Sequence, residues 1–174
     1  GPFDDMERES AQPATLVQAM IAADMMDFVV RKAVELGASR IVPVQAARSQ
    51  GLDPDRAQRR ILHLRQIAIA ACEQCGRNRL PEIAPVTALQ DWLAGVDDRQ
   101  GPIVILDGQA SRSLMGVAVE ALPRTVVVGP EGGFTTDEIR AACARGAIEA
   151  HLGPRVLRAE TAALAALAIV GALG

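Results

Sequence analysis

The chain has 174 residues, of which 49% are apolar, and it carries a formal net charge of −3. This length and apolar content predict a single folded domain with a sizeable core, and they exclude a disordered or collagen-like chain. Aromatic residues make up only 2% of the chain, which excludes recognition of single-stranded nucleic acid through a ladder of stacked rings. No apolar run is long enough to span a bilayer and no secretory leader opens the chain, so we expect a cytoplasmic protein with no membrane partner.

The charge is distributed unevenly along the chain. The acidic excess lies in the first ten residues, and we expect residues 1–13 to be a disordered terminus or a tag remnant. Residues 14–174 are then the folded domain. Between Arg48 and Arg79, seven arginines accompany three acidic residues, so this stretch is locally basic. It suits contact with RNA phosphates, and it equally suits a solvated helix surface.

The apolar pattern predicts alternating strands and helices. The predicted strands are residues 15–20, 41–44, 103–106, 125–128 and 148–152. The predicted helices are residues 25–36, 54–73, 114–122, 136–145 and 159–173. The runs at 103–106 and 125–128 are continuously apolar, which is typical of strands buried on both faces of a parallel sheet. The pattern therefore predicts an α/β fold, with an open, mostly parallel sheet and helices on both of its faces.

Several polar residues are predicted to begin these helices. Asp24 is the expected N-cap of the first helix. Asp53 followed by Pro54 predicts an N-cap and a proline in the first turn of the long second helix. Thr135 or Thr136 is the expected cap of the helix at 136–145.

Three loops follow the last three predicted strands, at residues 107–109, 129–134 and 153–161. We expect them to converge, because the carboxyl ends of parallel strands meet at one edge of a sheet. The second loop holds three glycines, which allow the main chain to approach a ligand closely. It has neither the G-K-[ST] of a P-loop nor the G-x-G-x-x-G of a dinucleotide site, which disfavours ATPases and dehydrogenases.

The cysteines and histidines do not form a recognisable catalytic or metal site. Three cysteines are an odd number and do not predict a disulfide framework. Cys72 and Cys75 form a C-x-x-C, but no second pair and no ligand-spaced histidine accompany it, so we interpret both as packing residues and expect no metal. We expect His63 on the surface, whereas His151, next to the third loop, is a weak site candidate.

Several short strings carry a resemblance to a known family. Residues 128–135 read V-G-P-E-G-G-F-T, followed by Asp137-Glu138-Ile139, and residues 152–163 read L-G-P-R-V-L-R-A-E-T-A-A. Upstream, residues 32–38 read K-A-V-E-L-G-A, residues 48–49 read R-S and residues 73–77 read E-Q-C-G-R. Over about residues 15–173, these strings resemble the methyltransferase domain of the RsmE family, the 16S rRNA uridine-N3 methyltransferases of the SPOUT superfamily. Cys75 stands where the family usually has serine, which further weakens a redox role.

The resemblance implies more about the fold than the apolar pattern does. It implies a SPOUT-type sheet with a C-terminal trefoil knot, whereas the pattern alone predicts an unknotted sheet. It also implies a homodimer with its sites near the interface. The implied partner is 16S rRNA or the small ribosomal subunit.

The implied cofactor is S-adenosylmethionine, bound in a bent form within the knot and held largely by main-chain groups of the three loops. Glu131 favours this cofactor over a nucleotide, since a carboxylate repels phosphate and suits a sulfonium ion. The residues that we expect to contact the cofactor are Leu106, Asp107, Gly129, Pro130, Glu131, Gly132, Gly133, Leu152, Gly153, Val156, Leu157 and Ala162.

The implied reaction places a methyl group on uracil N3, which carries a proton at neutral pH. Catalysis therefore needs a base, or a cation that stabilises the developing anion. Glu131 and Glu160 are the candidate bases and Arg158 is the candidate cation. Structural alternatives are helix capping by Glu160 and an ion pair between Arg158 and Glu131.

Arg48, Arg77 and Arg155 are the candidate contacts to RNA or to a partner subunit. The family also has an N-terminal PUA-like domain that helps to bind RNA, and residues 1–14 leave no room for it, so we expect a catalytic-domain fragment. Three alternatives stay open: a SPOUT enzyme acting on another RNA position, a non-catalytic RNA-binding fragment, and an α/β protein that binds another nucleotide.

Overall fold

One parallel sheet organises the computed structural model, which describes residues 8–174. Its strands are β1 (Ala14–Ala19), β2 (Ala38–Gln45), β3 (Glu82–Ile83), β4 (Thr87–Ala88), β5 (Ile103–Leu106), β6 (Thr125–Val128) and β7 (Ile148–Ala150). The order across the sheet is β3-β2-β1-β6-β5-β7, and β4 also pairs with β2. Every strand pair in the described part of the chain is parallel. The predicted α/β class is confirmed.

Helices cover both faces of this sheet, as predicted. They are α1 (Ala23–Glu35), α2 (Pro54–Cys75), α3 (Leu89–Ala94), α4 (Leu114–Glu120), α5 (Thr136–Ala144) and α6 (Ala159–Leu173). Successive side chains of a strand point to opposite faces. Leu16 of β1 therefore packs in the core shared with α1, α2, α4 and α6, whereas Val17 packs in the core shared with α3 and α5.

Two of the predicted helix caps are confirmed and one is wrong. The Asp53 carboxylate accepts the Arg56 N–H, with Pro54 in the first turn of α2. Thr135 caps α5 in a capping box with Glu138. The N-cap of α1 is Ala22, without a side-chain cap, and Asp24 lies inside the first turn. The Ala22 N–H instead donates to Glu131, a residue distant in sequence, so local pattern could not identify the acceptor.

The sequence pattern missed β3, β4 and α3. The two strands have two residues each and α3 has six, so none spans enough residues to show a period. The predicted strand at 148–152 ends at Ala150, and His151 makes an isolated bridge with Ser113 instead.

Arg77 is buried and holds three parts of the chain together. Its side chain is 5% exposed. Nε donates to Glu9 at 2.8 Å, and Nη1 donates to the carbonyls of Val34 and Ala38 at 2.9 Å each. Burial opposes the charged form, but the hydrogen bond and the charge of Glu9 outweigh it and raise the pKa of Arg77. This placement gives Arg77 a structural role and leaves it outside the RNA surface proposed below.

The predicted disordered terminus, residues 1–13, lies partly outside the described residues. Residues 8–13 form no helix or strand. Glu9 nevertheless pairs with Arg77, and the Gln12 Oε1 accepts a hydrogen bond from Arg124 at 3.1 Å. These contacts attach residues 8–13 to the domain.

None of the helices in residues 8–174 is both long enough and apolar enough to cross a bilayer.

Replacing Arg77 with alanine should destabilise the fold strongly. Arg77→Ala removes a buried charge from beside Glu9 and two donors from the carbonyls of Val34 and Ala38, so we expect a loss of about 3 kcal/mol in the free energy of unfolding. Urea denaturation of the wild type and the variant measures this difference in the free energy of unfolding. Arg56→Ala, with its side chain 70% exposed, is the control and should cost no more than about 0.5 kcal/mol. Equal losses in the two variants would contradict the structural role of Arg77.

Candidate functional site

The carboxyl ends of β6, β5 and β7 form one edge of the sheet, because these strands are adjacent and parallel. The three loops that follow them enclose a cavity of about 290 Å³. All twelve residues predicted to contact the cofactor line this cavity. The convergence of the loops is therefore confirmed, while the cofactor contacts themselves stay a prediction.

A larger cavity, of about 500 Å³, lies elsewhere, between α2 and residues 85–88. No predicted site residue lines it, and it contains no glycine. The smaller cavity is the better candidate site, since it combines main-chain-rich walls with charged residues at the ends of parallel strands.

Glycine is required at several points of the cavity wall for local reasons. Gly133 has φ of +69° and Gly153 has φ of +111°, values that side chains other than glycine rarely adopt. A Cβ at Gly129 would lie 3.3 Å from the ring and the backbone nitrogen of Phe134. A Cβ at Gly132 would lie 3.3 Å from Cδ of Arg48. The loop thus folds tightly against its neighbours and presents mainly backbone to the cavity.

Polar side chains from other segments fasten the loop at 129–134. The Ala22 N–H donates to Oε1 of Glu131 at 3.0 Å. The Gln18 amide, fully buried in β1, donates to the Ala19 carbonyl at 3.0 Å and approaches the Gly129 carbonyl at 3.5 Å. Arg48 Nη1 donates to the Gly132 carbonyl at 2.7 Å. The loop is therefore held from the ends of β1 and β2, which lie on the same side of β6 in the sheet.

Only one of the three candidate catalytic residues lines the cavity. Glu131 lines the cavity and is exposed, with one oxygen bound to the Ala22 N–H. Arg158 is the exposed N-cap of α6, and Glu160 lies in the first turn of that helix; neither lines the cavity. Within residues 8–174, Arg158 makes no ion pair with Glu131, and Glu160 does not cap α6. Neither structural alternative is therefore present.

Two of the three candidate RNA-binding arginines lie at or beside the cavity, and the third is buried away from it. Arg155 lines the cavity and is exposed. Arg48 is exposed beside the cavity, where it binds Gly132. Arg77 is buried at the far end of α2, as described above. Arg48 and Arg155 are thus the two predicted arginines that flank the site.

Sequence reasoning missed two buried polar residues beside the site. Gln18 is fully buried and Glu138 is 6% exposed. Gln18 interrupts the apolar run that follows Thr15 in β1, and this interruption was the available signal. Glu138 belongs to a family motif, but its contact with the Ala47 N–H joins residues remote in sequence, so no local pattern could show it.

His151 also lines the cavity. Its Nδ1 accepts the Gly153 N–H at 2.9 Å, which orients the ring and shapes the start of the third loop. His63 lies on the surface as predicted, 53% exposed and 2.9 Å from Asp27.

Two cysteines, Cys72 and Cys143, lie in environments that disfavour the reactive thiolate. Burial raises the pKa of Cys72. Burial and a hydrogen bond to Glu149 raise the pKa of Cys143 to about 11. Residues 8–174 contain no group of three or more histidine, cysteine or acidic side chains placed to hold a metal ion.

The comparisons with known proteins agree with this geometry. Residues 8–171 match the family model of an RNA methyltransferase domain. The chain is 32% identical over 171 residues to ribosomal RNA small subunit methyltransferase E of Bacillus subtilis, covering 94% of this chain and 67% of that protein. It spans about two thirds of the length of the curated relatives that it matches.

Two similar solved structures contain S-adenosylmethionine. One is a methyltransferase from Legionella pneumophila, 35% identical, with a TM-score of 0.89 over 97% of this chain and 69% of that one. The other is a ribosomal RNA small subunit methyltransferase E from Neisseria gonorrhoeae, 36% identical, with a TM-score of 0.86 over 95% of this chain and 68% of that one.

The Cys143 thiol should react slowly with iodoacetamide in the native protein. With a pKa of about 11, about one thiol in a thousand is ionised at pH 8, and the thiolate is the reactive form. We expect alkylation about 100-fold slower than that of glutathione, measured by mass spectrometry of the Cys143 peptide. The same thiol should react normally in urea, and equal rates in both conditions would contradict the prediction.

Proposed function

The chain belongs to the RNA methyltransferase domain family, and from that premise we propose that it transfers the methyl group of S-adenosylmethionine to N3 of a uridine in 16S rRNA. One observation carries the proposal. The cavity at the ends of β5, β6 and β7 brings together every residue predicted to contact the cofactor, in a chain whose similar solved structures contain that cofactor.

The cavity walls suit the different parts of S-adenosylmethionine. Leu106, Leu152 and Leu157 provide apolar surface for the adenine, while the glycines let main-chain groups reach its polar edge. Glu131 supplies a carboxylate for the positively charged sulfonium ion and amino group. When bound, the cofactor supplies an electrophilic methyl group on sulfur.

A C-terminal knot is part of the proposal. After β7, at the edge of the sheet, the chain returns across β5, and α6 packs against β1, β6, α1 and α4. To reach that position the chain passes the loop that follows β5, and passage through this loop would form the trefoil knot of the SPOUT superfamily. The knot would also bring the three cavity loops into one rigid unit.

The residues at the cavity suit deprotonation of uracil N3. Methylation of N3 would form an N–C bond as the bond between the methyl carbon and the cofactor sulfur breaks. The N3 proton would pass to a base, and the ring oxygens would carry the developing negative charge. Glu131 is the preferred base, because it lines the cavity and one of its oxygens is not engaged by the Ala22 N–H. Glu160 is the second candidate, and Arg158 stabilises the anion from the start of α6.

The RNA surface is proposed to include Arg48 and Arg155. Both are exposed and flank the cavity. Arginine suits phosphate contacts because its planar guanidinium can donate two parallel hydrogen bonds. Their charge is local, which fits a partner bound at one edge of a domain that is close to neutral.

We also infer a homodimer located in the cytoplasm. Met115 and Val119 of α4 are 49% and 71% exposed, and Val156 of the third loop is fully exposed. A second copy of the chain covering these apolar side chains would place the interface beside the cavity. The cytoplasm follows from the proposed substrate, because ribosomal subunits are assembled there.

Filling the cavity should abolish cofactor binding. Ala162 of α6 lines the cavity, whereas Ala168 of the same helix is exposed outside it. In calorimetric titration, the wild type and Ala168→Phe should bind S-adenosylmethionine saturably, and Ala162→Phe should lose at least about 100-fold in affinity. Absence of binding by the folded wild type would overturn the cofactor assignment and favour the non-catalytic RNA-binding alternative.

Methyl transfer should depend on the Glu131 carboxylate. Glu131→Gln keeps an oxygen for the Ala22 N–H but removes the base, so we expect a loss of about 100-fold in kcat. Labelled methyl transfer to 16S rRNA and to small ribosomal subunits measures it, with mass spectrometry to locate the methyl group. Glu120→Gln, on an exposed surface pair with Arg112, is the control.

Three outcomes of that experiment would change the proposal. Full activity of Glu131→Gln would move the base to Glu160. A methyl group at another position would favour the alternative SPOUT target. No transfer by a wild type that binds both cofactor and RNA would reject the enzymatic activity of this chain.

A further inference from the structure

Glu138 is a buried carboxylate that the proposed chemistry does not use. It lies in the first turn of α5 and is 6% exposed. No ion pair in residues 8–174 involves it. A buried carboxylate without a cation is costly unless both oxygens are hydrogen-bonded.

The two oxygens of Glu138 bind two different segments. Oε2 accepts the Thr135 N–H at 2.8 Å, which is the usual contact of a capping box. Oε1 accepts the Ala47 N–H at 2.7 Å, and Ala47 lies 91 residues away in the turn that follows β2. Capping alone needs only the first of these contacts.

The turn that Glu138 binds carries Arg48. This turn, residues 46–49, is closed by the Ser49 N–H, which donates to the Ala46 carbonyl at 3.0 Å, and by the Ala46 N–H, which donates to the Ser49 hydroxyl at 3.2 Å. Arg48 reaches back to the Gly132 carbonyl at 2.7 Å. The turn and the glycine loop are therefore joined twice, once through Glu138 and once through Arg48.

We propose that Glu138 is a positioning residue that couples the cofactor loop at 129–134 to the turn at 46–49. Fixing the glycine loop around the cofactor fixes Thr135, and through the carboxylate of Glu138 it fixes the backbone beside Arg48. Arg48 is then held in place for RNA when the cofactor site is filled. This inference rests on the proposed function, which assigns the loop to S-adenosylmethionine and Arg48 to RNA.

Only a carboxylate can make both contacts. Both partners are N–H donors, so the residue must offer two acceptor atoms. In Glu138→Gln, the amide oxygen replaces only one of the two carboxylate oxygens, and the amide NH₂ then faces the other N–H donor. Thr135→Ala is the matched control. It removes the hydroxyl that accepts the Glu138 N–H at 3.2 Å, and it leaves the carboxylate of Glu138 intact.

Amide hydrogen exchange at Ala47 tests the link without any ligand. We expect Glu138→Gln to accelerate exchange of the Ala47 amide by about tenfold relative to the wild type. Thr135→Ala, which destabilises the same helix end, should change that rate by less than about threefold. Equal acceleration in the two variants, or no acceleration in Glu138→Gln, would overturn the proposal.

Exchange in saturating S-adenosylmethionine tests the coupling. The cofactor should slow exchange of the Ala47 amide by about threefold or more in the wild type and in Thr135→Ala, and should have no such effect at Ala47 in Glu138→Gln, where Arg48 alone still joins the turn to the glycine loop. Slowing that persists in Glu138→Gln, or that is absent from a wild type shown by calorimetry to bind the cofactor, would overturn it. Failure of the wild type to bind S-adenosylmethionine would instead reject the proposed function. The ligand-free exchange rate of the Ala47 amide would still test the contact between Glu138 and Ala47.

Discussion

The parallel pairing of β6, β5 and β7 is the constraint on which the rest of the site depends. Because the three strands are adjacent and point the same way, the loops that follow them must leave the sheet at one edge. Residues 107, 129 and 153 are far apart in sequence, yet their segments line a single cavity. Apolar burial on both faces of β5 and β6 keeps their register, and thereby the relative positions of the loops that follow them.

The loop at 129–134, in which three of six residues are glycine, has little stiffness of its own, since glycine loses more conformational freedom on folding than any other residue. The structure supplies stiffness from outside the loop. Gln18 and Ala22 contact it from the end of β1, and Arg48 contacts it from the turn after β2. Glu138, at the start of α5, links Thr135, the residue that follows the loop, to Ala47 of that turn. A backbone-lined site can in this way keep a defined shape although few of its own side chains pack.

The arginines show how burial assigns different roles to one residue type. Arg77 is 5% exposed and joins Glu9 to the end of α1 and the start of β2, so its side chain stabilises the fold. Arg155 is exposed at the cavity, and Arg48 is exposed beside it, where its Nη1 donates to the Gly132 carbonyl. Sequence reasoning grouped all three, because a motif records residue type and spacing but not depth.

The residues in order predict much of this molecule. β5, β6 and α6 have the predicted bounds, and the twelve residues expected to contact the cofactor all line one cavity. These features are local, because apolar period, glycine turns and caps such as Asp53 act within a few residues. The N-cap of α1, the burial of Arg77 and the link from Glu138 to Ala47 were not predictable in this way. Each depends on contacts between segments 40 to 110 residues apart, about the separations of Arg77 from Ala38 and of Ala22 from Glu131, and only the packed sheet brings such segments together.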